Sequence, residues 1–456
     1  MKRLLLILFF AALSVGCMPK LYAPRIATND RYYNADTLSG DSLRLDKQWW
    51  RQFGDTTLSE LVELALAQNR DLWVAASRIR QAEERLGVAR ASFLPQVGLE
   101  AQAEGSYNRQ TKIEQQYSLT PTLSWEISLF GAMRHATRAA RAAIESSVWS
   151  YRAMELAVAA QVATTYFTLR QYERDLYIAI RTTRLRRESA ALIDSLFRYG
   201  MSSGVDADQA YSLVYSSEAD IPRYQNAIEE SRLALMVLLG EAPYAYPLLG
   251  TGEELISDRH PTAVSAGVPS ELVTRRPDIL QAYFTLSQAA SEVGVERANR
   301  FPSITLSANG GIGASSIKGL TSSNPAVWQA VGGIVQPIFS FGKLKRNERI
   351  AIENYNQAAY NYEQTVLTAF SEVEKALSAI EATRLETDRY RALIKSYEDI
   401  VEKAYALYRN GMADYLDVID AERTLYSARM QLINLVTTQY INYVTLCKAL
   451  GGGWQG

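Results

Sequence analysis

Reactive side chains are scarce in this chain of 456 residues, which has two histidines and two cysteines. His135 and His260 fall in different elements, and neither has a cysteine or histidine partner at a metal-ligand spacing, so no metal site is visible. Asp206 and Asp208 could form a carboxylate pair of the kind that cleaves glycosidic bonds, but nothing places them across a scissile bond. Arg275, Arg276 and Asp278 cluster around Pro277, which disfavours helix at Arg276, so they read as helix-start and interchain structure rather than as catalysts. Asp420 and Arg423 sit one helical turn apart and could be a surface pair of little energetic value. Asp414 and Asp417 add acidity that a helix start explains by itself. No glycine loop with its lysine is present to hold a nucleotide phosphate, so any energy must come from a partner. The chain reads as a protein that is not an enzyme and has no cofactor.

The N-terminus carries a different chemistry. Lys2-Arg3, an apolar run from Leu4 to Val15 and Gly16 lay out a secretory signal peptide over residues 1–16, too short for a permanent membrane helix. Ser14-Val15-Gly16-Cys17 resembles the lipobox of bacterial lipoproteins, with Ser14 where leucine is commoner. That resemblance implies that Cys17 becomes the acylated first residue of the mature chain, a covalent lipid and no other prosthetic group. Cys447 lies far away in an apolar helix, which makes an intramolecular disulfide improbable. Lysine plus arginine (48) nearly balances aspartate plus glutamate (49), so no basic field exists to attract nucleic acid. Past residue 16 no window of eighteen apolar residues occurs. A membrane crossing must then be a β-barrel.

The chain also repeats itself. Gly87-Val88-Ala89-Arg90-Ala91 with Leu94-Pro95 returns 207 residues later as Gly294-Val295-Glu296-Arg297-Ala298 with Phe301-Pro302. Leu129-Phe130-Gly131 returns 211 residues later as Ser340-Phe341-Gly342, and Tyr199-Gly200-Met201 as Asn410-Gly411-Met412. Two internal repeats, the second with a longer loop near residues 313–326, account for the change of offset. Each begins with a helical pattern, Leu58 to Ser92 and Ser270 to Asn299, and continues into a strand pair. Val97, Leu99, Ala101 and Ala103 alternate with polar residues, as do Tyr117, Leu119, Leu123, Trp125 and Ile127. Ser303 to Asn309 alternates cleanly, whereas Val327 to Ile338 is glycine-rich and its facing stays open. Strands of this length and alternation suit a transmembrane barrel, but four cannot close one.

Helical runs follow from Gly131 to Phe197 and from Gly342 to Tyr408, each roughly 100 Å at 1.5 Å per residue. Val366, Phe370, Val373, Leu377 and Ile380 keep a coiled-coil step, and so do Leu416, Ile419, Arg423, Tyr426, Met430, Ile433, Thr437, Tyr440, Val444 and Cys447 on the returning helix. Hairpin turns are expected at residues 198–205 and 409–415, each with a glycine after the last helical turn.

Trp49-Trp50 with Phe53-Gly54-Asp55, then Leu58, Leu61-Val62, Ala65-Leu66, Asn69 and Asp71-Leu72, resemble the opening helix of the TolC-like outer-membrane factor family. The segment from Gly267 to Ile279, with Arg275-Arg276-Pro277-Asp278 inside it, is similar to that family's most specific motif. Tyr415-Leu416-Asp417-Val418-Ile419-Asp420-Ala421-Glu422-Arg423 and Ala449-Leu450-Gly451-Gly452-Gly453-Trp454 resemble its returning helix and the ending of its efflux branch.

The resemblance implies an α+β membrane protein: a homotrimer pooling four strands per chain into a twelve-stranded outer-membrane barrel, continued by a periplasmic α-helical coiled-coil barrel. It divides the chain into the signal peptide (1–16), a lipid-anchored segment (17–57), a first repeat (58–240, strand pair 95–127), a linker (241–269), a second repeat (270–451, strand pair 302–339) and a tail (452–456). It implies a passive exit duct of a tripartite efflux system for small molecules or metal ions, set in outer-membrane lipid and extending into the periplasm. The partners are a periplasmic adaptor and an inner-membrane transporter. Leu416, Asp420 and Arg423 match positions that narrow the periplasmic aperture, and Gly200, Met201, Gly411 and Met412 mark the tips that meet the adaptor. A duct for protein secretion and a periplasmic coiled-coil scaffold lipoprotein are the alternatives; the amphipathic strands leave the scaffold without a reason.

Overall fold

A computed structural model describes residues 21–26, 31–33, 47–108, 112–242, 269–322 and 326–453. The signal peptide, Cys17, most of the linker, and Trp454 lie outside the described residues. The chain divides into two compact units, one of residues 1–26, 79–147 and 281–365, the other of 27–78, 148–280 and 366–456. No described helix is long and apolar enough to cross a membrane.

Helix α1 (Thr56–Gln68) starts where the Asp55 carboxylate accepts the Leu58 amide at 2.9 Å. The continuous helix expected to Ser92 is broken at Asn69. The Asn69 side-chain oxygen accepts the amides of Asp71 and Leu72, starting α2 (Arg70–Ala91). Its side-chain nitrogen donates to the Leu238 carbonyl at 2.8 Å, so the break is fixed by a part-buried tertiary bond that periodicity does not reveal. In the second half the corresponding break falls at Arg276, between α5 (Pro269–Arg275) and α6 (Pro277–Ala298), as Pro277 requires.

The first unit holds one antiparallel sheet in the order β1 (Gln96–Asn108), β2 (Lys112–Ser128), β3 (Ser303–Ala314) and β4 (Ala326–Val335), with a helical turn α7 (Gly319–Ser322) between the last two. Directly opposed residues share a face. Register therefore sets Val97 beside Leu123, Trp125 beside Leu306, Ile127 beside Ile304, Ile304 beside Ile334 and Gly310 beside Trp328. One face is apolar across all four strands. The other carries Gln102 beside Ser118, Ser124 beside Ser307, Glu126 beside Thr305 and Asn309 beside Gln329. The facing of β4, open from the sequence, is settled by its pairing: Trp328, Ala330, Gly332 and Ile334 lie with the apolar residues of β3. Among the described residues this apolar face stays exposed, with Val97 at 76% and Trp328 at 81%.

Gly311 lets β2 and β3 approach. A Cβ there would sit 2.4 Å from the Leu119 carbonyl oxygen and 2.9 Å from Thr120 Cα, both backbone atoms. Gly311→Val is expected to abolish recovery of folded protein from outer-membrane fractions, read by fractionation and semi-native electrophoresis; wild-type recovery would contradict the close approach.

In the second unit, Phe53 stacks edge-on against Phe167, which lies 4.9 Å from the Tyr440 ring, and Tyr166 donates to Asp55 at 2.7 Å. These contacts fasten the opening segment to α3 (Ala132–Arg198) and α9 (Tyr415–Ala449). Helices α4 (Gly204–Leu239) and α8 (Lys343–Arg409) complete the two hairpins. Val366, Val373, Leu377 and Ile380 are buried along α8, with Phe370 half-buried.

The seam of α9 departs from the expected one. Thr437, Tyr440, Val444 and Cys447 are buried, and burial pushes the Cys447 thiol up to about 12, which leaves it inert. Nearer the start Ile419 is buried as expected, but Leu416 is 52% exposed and Arg423 is also exposed, while Val418, Ala421, Leu425 and Ala428 join the buried side. The reason is size. Ala421 packs in a cluster with Ala190, Ala207, Ala210 and Ala404, where small side chains permit a close helix approach that bulkier residues would prevent.

Candidate aperture and hairpin tips

Both long helices end by the same backbone device. Gly200 (φ 71°) and Gly411 (φ 68°) adopt the left-handed conformation. The next amides, of Met201 and Met412, reach back to the carbonyls of Leu196 and Leu407 at 2.8 and 2.9 Å. Met201 and Met412 are each 67% exposed. Past the first tip, Ser203 caps α4 in a reciprocal pair with Asp206, so Asp206 is a capping residue and no partner of the exposed Asp208. Ser202 bonds both Asp206 and, at 3.1 Å, the Tyr408 hydroxyl, tying one tip to the end of α8.

Helix α9 starts at Tyr415, and the three residues matched to the aperture lie on its exposed side. The Asp420 and Arg423 side chains are 67% and 68% exposed and 4.0 Å apart. Such a pair adds little to stability. Asp417 and Asp420 border a shallow concavity of about 450 Å³ that Lys403 also lines.

Behind this side is a buried polar latch that sequence reasoning missed. Arg186 of α3, 4% exposed, faces Glu422 of α9 at 3.6 Å and donates to the Leu213 carbonyl of α4 at 3.1 Å. Its guanidinium lies 5.0 Å from the Tyr426 ring. Burial lowers the Arg186 pKa, and Glu422 opposes that shift. Tyr405 of α8 donates to Glu422 and exchanges a 3.0 Å bond with Ser189 of α3. Tyr426 donates to Asp220 of α4 at 2.8 Å, and Arg223 pairs with the same carboxylate at 2.9 Å. Burial and these carboxylates raise both phenols, keeping them protonated donors. Only the placement of Glu422 inside the returning-helix motif hinted at this; Arg186 stands in a run of arginines that reads as solvated surface.

Arg276 is also structural. It grips Asp278 with two nitrogens, pairs with Glu372 at 2.7 Å and donates to the Ala449 carbonyl at 3.0 Å, all within the chain. Among the described residues, no group of acids, histidines and cysteines could hold a metal ion.

An amphipathic four-stranded sheet and two long helical hairpins recur in known proteins. The profile of the family described as Outer membrane efflux protein matches residues 61–241 and 268–452. The chain belongs to this family. The cation efflux system protein CusC of Escherichia coli O6:H1 is 30% identical over 412 residues, spanning 89% of this chain and 88% of that protein. The toluene efflux pump outer membrane protein TtgF of Pseudomonas putida is 32% identical over 416 residues, spanning 89% and 85%. The solved structure of the outer-membrane channel OprN superposes with a TM-score of 0.87 at 27% identity, covering 97% of this chain and 100% of that one. As a member of the family, the chain is an outer-membrane exit duct for efflux.

Proposed function

We propose that three copies of this chain pool their sheets into one twelve-stranded barrel and their helices into a periplasmic tunnel, which conducts small molecules or metal ions outward. The observation that carries this reading is the sheet itself. Its apolar face is continuous over four strands, yet among the described residues β1 and β4 each pair on one side only. Open edges in lipid leave backbone groups unsatisfied, so such a sheet needs neighbours to close it. The cargo range follows the relatives named for cation and toluene efflux.

In this assembly Leu416, Asp420 and Arg423 line the aperture, where three copies of Asp420 attract cations and repel one another until a cation or Arg423 neutralises them. The tips at Gly200–Met201 and Gly411–Met412 meet a periplasmic adaptor coupled to an inner-membrane transporter, and an acylated Cys17 adds a lipid anchor. The duct works by docking and gating and performs no catalysis. A strain lacking the chain should become hypersensitive to metal salts, dyes or antibiotics and recover with the intact gene. Unchanged susceptibility with a missing secreted protein would overturn the efflux cargo. Asp420→Ala with Arg423→Ala should leave the thermal midpoint unchanged and raise single-channel conductance; equal conductance would remove these residues from the aperture.

A further inference from the structure

Asp175 of α3 is a carboxyl buried to 4% exposure, and one of its oxygens, Oδ1, has no hydrogen-bond partner among the described residues. A carboxylate left so incompletely solvated is costly unless it takes up a proton or shares a cation. The Gln171 side chain, on the same helix, gives it one hydrogen bond. The charged and titratable groups that act on it come from α4: Arg223 attracts it, Asp220 repels it, and Tyr224 feels its charge. Arg223 also donates to the Tyr224 hydroxyl at 2.9 Å. From α9, Tyr426 reaches the same group of residues through Asp220, with Arg186 of α3 on its far side.

Asp175 and Asp220 both feel the charge of Arg223, which pairs with Asp220 at 2.9 Å, and Asp220 is the acceptor that holds the aperture helix through Tyr426. We propose that Asp175 is a proton-operated switch of the Asp220–Tyr426 latch. Neutral Asp175 leaves Arg223 to Asp220, and the latch holds. Ionised Asp175 draws Arg223 away and repels the Asp220 carboxylate, and α9 loosens from α4. Burial raises the Asp175 pKa to about 7, so the change falls near neutrality. The sign follows from the raised value: the folded chain keeps a proton that the unfolded chain has lost, from the ordinary carboxylate range up to about 7. Through that window the folding constant falls about tenfold for each unit of rising pH. Acidification of the periplasm then tightens the latch, and alkalinisation releases it.

The gating consequence rests on the reading of α9 as the aperture helix, and the test separates the two. Infrared difference spectra of the reconstituted full chain between about pH 6 and about pH 8, bracketing the shifted titration, should show a protonated-carboxyl band that Asp175→Asn removes. In planar bilayers the wild type should conduct severalfold more on the alkaline side. Asp175→Asn should stay low at both, and Tyr426→Phe high at both. A band that titrates in the ordinary carboxylate range, or an Asp175→Asn duct with the wild-type pH response, would overturn the switch while Tyr426→Phe still reported the latch. Should Tyr426→Phe and the Asp420 and Arg423 substitutions all conduct as wild type while the band titrates near 7, the aperture reading and the switch fall together.

Discussion

Glu422→Ala should lower stability by about 3 kcal/mol, the low end of what removing one partner of a buried ion pair costs. Arg186, 4% exposed, would lose its nearest carboxylate and keep the Leu213 carbonyl, the Tyr426 ring and the more distant charge of Asp220. The low end applies because the pair is imperfect: Nε lies 3.6 Å from the carboxylate and makes no hydrogen bond. Tyr405 would lose its acceptor on α9 in the same step. Thermal unfolding should register the first loss, and conductance should rise from the second. Arg186→Met combined with Glu422→Met makes the distinction sharper. Replacing a buried pair by apolar residues of similar volume is often neutral or stabilising, so the double variant should regain the wild-type midpoint yet stay more conductive. A single Glu422→Ala variant that melts as the wild type does would mean that Glu422 does not compensate Arg186.

Arg276→Ala is expected to cost about 2–4 kcal/mol, from hydrogen bonds to charged groups worth roughly 1.5–3 kcal/mol each, partly recovered by rehydration. The recovery is real because Asp278 and Glu372 are 38% and 46% exposed and can return to water. The Ala449 carbonyl is the group that cannot easily do so, and it lies at the end of α9. Arg276→Lys keeps the charge but not the fork that holds Asp278 by two nitrogens. It should recover less than half of the lost midpoint. Full rescue by lysine would show that charge alone is what the site needs.

Much of the architecture was legible from residue order. The long helices and the alternation of β1, β2 and the first part of β3 could be read because their apolar spacing has one interpretation. In β4 it did not. Val331 and Val335 lie on the polar side, opposite Ser307 and Ser303, so only the pairing partner reveals the facing. On α9 two stripes are both largely apolar, and spacing does not show that Ile419 stays buried while Leu416 and Arg423 give way to Val418, Ala421 and Leu425. Three-dimensional neighbours choose, through the alanines of α3, α4 and α8. Leu416, Asp420 and Arg423 lie exposed, whereas the latch was illegible because its members come from two helical hairpins far apart in sequence. A buried arginine within Arg184-Leu185-Arg186-Arg187 looks like its solvated neighbours until the fold is known.

Each hairpin reverses at one left-handed glycine whose following amide bonds back to the helix, and at the first tip Ser202 and Ser203 add side-chain bonds to Asp206. Substitution of Tyr199, Met201 or Met412 therefore leaves the turn intact, whereas Asn410 also bonds the Ala406 carbonyl through its side chain at 2.8 Å. A lineage can exchange those side chains one by one and acquire a new partner preference with the helices on either side undisturbed, so the glycines hold the shape while the neighbouring positions drift.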